Sequence, residues 1–232
     1  MKKKGKGFTE DIAKFFENPS RESLREVLKN NFGEFPNIDF KENFSSGAKL
    51  ARHVLAIANS GGGCLVFGVA EKPDKSFEPS GLADLKDKAD ITRSIEKFLP
   101  SSLLINEDIA ILDCSYAEAE YPTLKGKKFQ LIVIQSDPKR LPFVSESGSG
   151  SDIRANAIYV RKGTESREAS NDELQKIINR RLETGYSSSS EMELVEHFEQ
   201  LRALYGEIKQ AHVLPKIFGQ DVMKRIAETM GG

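Results

Sequence analysis

The sequence predicts an α/β (α+β) fold: a mixed sheet with flanking helices, followed by a C-terminal helical appendage. Three observations carry this prediction. Apolar runs of strand length mix with helical periods without strict alternation, as in a sheet with helices laid on it. The balance of 38% hydrophobic and 30% charged residues over 232 positions is that of an ordinary globular chain with room for one large domain. Finally, a serine-rich stretch, ETGYSSSS (183–190), reads as a linker and sets the last segment apart. The expected organisation is a helical segment over 1–31, the main domain over 32–183 and helices over 184–232.

Along the chain, residues 9–18 and 20–31 read as two helices broken at Asn18-Pro19, with Ser20 as cap of the second. NIDFKENF (37–44) alternates apolar and polar residues as a strand does. GAKLARHVLAIAN (47–59) sets Leu50, Val54, Ile57 and Ala58 on one helical face. CLVFGVA (64–70) reads as a buried strand, and 84–99 as an amphipathic helix halted by Pro100. Strands are expected at 103–113, 127–135 and 156–163, and a flexible loop at 145–152. Ser170 and Glu173 form a capping box that opens a helix to about 183. Beyond the linker, Leu194, Phe198, Leu201, Tyr205, Ile208 and His212 make a heptad seam of under three repeats, suited to docking on the domain or to pairing with a second copy.

Composition excludes several classes. No run approaches the roughly 18 apolar residues of a membrane span, and no apolar signal core follows the basic N-terminus, so a cytoplasmic protein without membrane association is expected. Cys64 and Cys114 sit in apolar runs without neighbours at zinc-ligand spacing, which predicts buried thiols. With 34 basic against 35 acidic residues, any polyanion site must come from local clustering. The triple glycine in ANSGGGCLVFGVAEK (58–72) is not a nucleotide loop. A Walker or dinucleotide motif runs from strand to helix, whereas here helix precedes strand and no Lys-Ser/Thr follows. It reads as a corner.

The corner delivers Glu71 to the end of a strand. With Asp39 and Glu34 it makes three acids near two strands, a set that would suit Mg²⁺ or Mn²⁺; three solvated surface acids are the other reading. If the strands bearing Asp39 and Glu71 are parallel neighbours, those carboxylates lie about 15 Å or more apart. Lys41 shares a strand face with Asp39. Arg154, Arg161, Lys162 and Arg167 cluster about one strand and loop, as a groove for a phosphate backbone or as a solvated face. The absence of Trp, with aromatics not interleaved among basic residues, favours A-form RNA over stacked single strands.

These residues resemble the core of the Schlafen/AlbA-type domain, over roughly 32–182. The matching elements are Asp39-Phe40-Lys41, the run Ala56 to Ser60, Gly62-Gly63, Gly68-Val69-Ala70-Glu71 and Tyr159-Val160-Arg161-Lys162-Gly163. The resemblance implies a metal-dependent endoribonuclease acting on structured RNA such as transfer RNA, with antiviral defence as the setting. Glu34, Asp39 and Glu71 would be catalytic and would hold Mg or Mn. Lys41, Arg154, Arg161, Lys162 and Arg167 would bind nucleic acid, RNA in preference to DNA. A single such domain implies a homodimer. Asp39 stands where the pattern has Glu, and Glu71 where it has Asp. The alternative is a non-catalytic nucleic-acid-binding module, or an effector subunit of a larger defence complex.

Overall fold

The structure, a computed structural model, describes residues 6–29, 37–74, 76–116, 121–184 and Arg202, with side chains from residue 12 onward. The chain divides into two compact units, 1–185 and 186–232. Arg202 is the one described residue of the second, so the linker, the heptad seam and any dimer contact made there lie outside the described residues.

Helices α1 (Lys6–Glu17) and α2 (Arg21–Lys29) precede β1 (Ile38–Lys41). Helix α3 (Gly47–Asn59) leads to β2 (Gly63–Phe67), then β3 (Val69–Glu71) and β4 (Phe77–Pro79). Helices α4 (Lys88–Glu96) and α5 (Ile105–Asp108) precede β5 (Ile109–Ser115) and β6 (Lys128–Ile134). The ribbon β7 (Tyr159–Lys162) and β8 (Glu165–Glu168) is followed by α6 (Asn171–Glu183). The main sheet has the order β1-β2-β6-β5; β1 and β2 are parallel and the other pairs antiparallel. β3–β4 and β7–β8 are separate antiparallel ribbons. The mixed sheet with flanking helices is thus present.

Strand alternation divides the core. Ile38, Phe40, Cys64, Val66 and Leu131 pack with Phe15, Leu24 and Val27 of α1 and α2. Leu65, Phe67, Ile132 and Ile134 face the other way, against α3. Helix α3 also packs beneath Tyr159, Val160 and Ile177, so it buries residues all round and not only on the predicted stripe. Each large apolar side chain enclosed there stabilises the fold by about 1.5–3 kcal/mol.

Several boundaries move for physical reasons. The expected strand 64–70 breaks at Gly68, whose φ of 98° suits glycine, and a Cβ there would lie 2.9 Å from Phe129. Residues 105–108 form a helical turn in place of strand, because the Asp108 carboxylate accepts the Leu104 N–H at 2.7 Å and pairs with Arg140 at 2.7 Å. The helix expected from 84 begins after Asp87, whose Oδ1 caps the N–H groups of Ala89 and Asp90. The serine-glycine loop at 145–152 is tied in: Ser145 is buried, and its Oγ accepts the Ala157 N–H at 3.0 Å. Ser170 and Glu173 make both bonds of the predicted capping box. Both cysteines are buried and unpaired by disulfide, and burial raises the Cys114 thiol to about 11. No helix among the described residues is long and apolar enough to cross a membrane.

Candidate nucleic-acid interface

The corner after α3 is a closed structural device. Gly61 and Gly62 have φ of 106° and 84°, and a Cβ on Gly62 would come within 2.9 Å of the Ile134 carbonyl oxygen. Ser60 and Gly62 donate their N–H groups to the Ile57 carbonyl at 3.0 Å each, ending the helix. Asn59 is fully buried. Its Nδ2 donates to the Phe143 and Tyr159 carbonyls at 2.8 and 3.0 Å, and its Oδ1 accepts the Phe143 N–H at 2.8 Å. From α6, Arg180 donates to the Asn59 carbonyl, a cation set on the negative end of the helix.

At the other end of α3 the chemistry is different. β1 turns Asp39 and Lys41 toward α3. The Asp39 carboxylate, 6% exposed, meets Lys41 Nζ at 2.9 Å and Arg161 Nη1 at 2.8 Å. The Arg161 side chain is 3% exposed and makes no hydrogen bond; its approach to Asp39 is ionic contact outside bonding geometry. His53 Nδ1 bonds Ser166 Oγ at 2.9 Å and lies 3.8 Å from Asp39, while Nε2 is buried without a partner. Burial pushes the imidazole pKa down to about 4 against the pull of Asp39, so the ring is neutral at pH 7.

Above this cluster opens a cleft of about 470 Å³ between the start of α3 and the β7–β8 turn. Lys41, Lys49 and Arg52 line it, with Glu165 as the one lining carboxylate among the described residues, and Ser45 lies on its wall just before the α3 N-cap. At that helix end the N-cap Ser46 donates its hydroxyl to the Asp152 carboxylate at 2.5 Å, which offsets the partial positive charge there, so the cations facing the opening are Lys41, Lys49 and Arg52. Arg52 Nε, like His53 Nε2, has no hydrogen-bond partner.

The predicted site residues are distributed unevenly. Asp39, Lys41 and Arg161 are brought together, but as an ion-pair cluster. Arg161 lies inside the protein, away from the surface groove in which the sequence placed it. Glu34 lies outside the described residues. Glu71 is exposed at the end of β3, directly across from Phe77, and Phe77 packs on Phe40 with ring centroids 5.0 Å apart. Cross-strand partners share a face, so Glu71 lies on the side of Phe40, and Phe40 points away from Asp39. The parallel pairing of β1 and β2 sets Asp39 beside Leu65, six positions before Glu71. Among the described residues no group of three or more His, Cys, Asp or Glu side chains is placed to hold a metal ion. Arg154 is exposed and pairs with Glu168 at 3.2 Å, Arg167 pairs with Glu173 at 2.8 Å, and Lys162 is exposed on β7. Lys49 and Arg52 were not singled out by the sequence. Their signal is a polar stripe, Lys49-Arg52-His53, in an otherwise apolar helix.

Fold and site together define an α+β domain with a basic cleft at the N-terminal end of its central helix. The chain belongs to the Schlafen, AlbA_2 family, whose model matches residues 34–170, more than half of its length. Membership points to a nucleic-acid-related function. A search of curated proteins finds no match.

Proposed function

We propose that this domain binds nucleic acid through the sugar-phosphate backbone, with the cleft between α3 and β7–β8 as its centre. One observation carries the reading: Lys41, Lys49 and Arg52 line an opening in which Glu165 is the one lining carboxylate among the described residues. Such contacts supply affinity without reading sequence. Structured RNA is the preferred partner, because the one aromatic ring lining the cleft among the described residues, Phe44, is stacked on Phe67 at 3.9 Å and so is poorly placed to stack on a free base. Fluorescence anisotropy with a transfer-RNA-like hairpin and with duplex DNA, at two salt concentrations, tests this. Three phosphate contacts predict a log–log salt slope of about −2 to −3. Unchanged affinity in Lys49→Glu/Arg52→Glu would remove the cleft from the proposal.

The finer reading, a divalent-ion-dependent endoribonuclease of defence, rests on the acidic positions Glu34, Asp39 and Glu71. It requires Asp39 to exchange Lys41 and Arg161 for a cation such as Mg²⁺ or Mn²⁺, and Glu71 to cross to the side of β1 on which Asp39 lies. Incubation with transfer RNA and Mn²⁺ separates the readings: cleavage abolished in Glu71→Ala supports the nuclease, and binding without cleavage supports the module. A homodimer would set two clefts on one RNA; sedimentation in the presence and absence of RNA reads this directly.

A further inference from the structure

We infer that the cleft holds the terminal phosphate of a nucleic-acid chain, a monoester, in preference to an internal diester. This rests on the nucleic-acid reading above and sharpens its substrate class. Charge is the first argument. The cleft and the cluster under it hold Lys41, Lys49, Arg52 and Arg161 against Asp39 and Glu165, an excess of two positive charges. An internal diester carries one negative charge, whereas a phosphate monoester carries about −1.5 to −2 at pH 7. The partial positive charge of the α3 N-terminus is offset by Asp152, which accepts the Ser46 hydroxyl at 2.5 Å, so the excess rests on the side chains.

Unmet bonding capacity is the second argument. His53 and Arg52 both line the cleft, and His53 Nε2 and Arg52 Nε are buried without partners. A buried polar atom left unbonded costs about 1–3 kcal/mol. His53 Nδ1 and Ser166 Oγ lie 2.9 Å apart, and in the tautomer whose Nδ1 accepts the Ser166 hydroxyl the neutral ring carries its proton on Nε2, the form this inference requires. A monoester brings three terminal oxygens to such donors.

Shape is the third. The opening is bounded by the first turns of α3 on one side and by residues Thr164 to Ser166 on the other, and its volume of about 470 Å³ suits one chain end. Ligand pockets run roughly 300–1,000 Å³. Phe44 is held by Phe67 on one side, and Lys86 Nζ lies 4.7 Å from its ring centroid, so recognition falls to the phosphate and not to a stacked base.

The test uses the full chain and internally labelled oligonucleotides of one sequence, carrying a 5′-phosphate, a 3′-phosphate or hydroxyls at both ends. Anisotropy should show at least one phosphorylated end binding about ten-fold or more tighter than the hydroxyl form. Lys49→Ala/Arg52→Ala should abolish that preference with an unchanged circular dichroism spectrum, and Glu165→Gln should keep the preference and tighten binding. Equal affinity for all three oligonucleotides, weakened by the double variant, overturns end recognition and leaves backbone binding in place. No binding of any oligonucleotide overturns both. Persistence of the preference in the double variant, or equal competition by a phosphoserine peptide, also overturns the inference.

Discussion

The two ends of α3 are built from the same helix and answer opposite demands. At the C-terminal end polar groups are met: Asn59 makes three hydrogen bonds, the Ile57 carbonyl accepts two N–H groups, and Arg180 covers the Asn59 carbonyl. Toward the N-terminal end Arg52 Nε and His53 Nε2 stand without hydrogen bonds beside an open basic cleft. The bonds of Asn59 and the Ile57 carbonyl mark the end that holds the fold together, where Ser136 Oγ beside the glycine corner is a buried polar atom left unpaired. Unmet donors mark the end where a ligand has something to add.

The largest test of this contrast falls on the ion pair under the cleft. Asp39→Ala strands the Arg161 guanidinium in the interior and should cost about 3–5 kcal/mol in urea denaturation. Adding Arg161→Met should recover most of that loss, since the stranded charge goes with it. At the closed end, Asn59→Leu leaves the Phe143 and Tyr159 groups unpaired and should cost about 3 kcal/mol, read by the same midpoint. If Asn59→Leu were nearly neutral, the closed end would lose its role as a clamp.

A pH titration separates the ends without mutation of either. His53 is held near 4 in the folded state against about 6.5 when unfolded, so the unfolded chain binds its proton first. The stability this neutral ring supplies is complete above pH 6.5 and is lost as pH falls toward 4, on the order of 3 kcal/mol at most. Thermal unfolding should drop through that window in the wild type and flatten in His53→Gln. The smallest effect on stability comes from Lys49→Glu, an exposed position, which should stay within about 0.5 kcal/mol by denaturation while weakening nucleic-acid binding.

Much of the frame was legible because it depends on local chemistry. The Ser170–Glu173 capping box, the limits of α3 and the glycine corner follow from residues adjacent in the chain. What the sequence hid depends on distant partners. Asp39 and Arg161 were assigned to separate tasks, a metal and a phosphate backbone, yet 122 positions of chain separation end in a 2.8 Å contact. Asn59 read as a helix terminator, because nothing nearby announces its bonds to Phe143 and Tyr159. The strand at 103–113 began late because Arg140, far along the chain, holds Asp108 in a helical turn. The cleft stayed out of view because its walls come from α3 and the β7–β8 turn, which meet only on folding.

Arg180 sits ten residues past the end of the family match, and α1 and α2 lie before its start, yet each closes something the matched segment cannot close alone. A fragment cut at 34 and 170 would present bare apolar strands on one flank and an uncapped helix carbonyl on the other. The cooperative folding unit is therefore longer than the evolutionary signature, and a recombinant version cut to the signature is expected to aggregate where one running through residue 184 stays monodisperse.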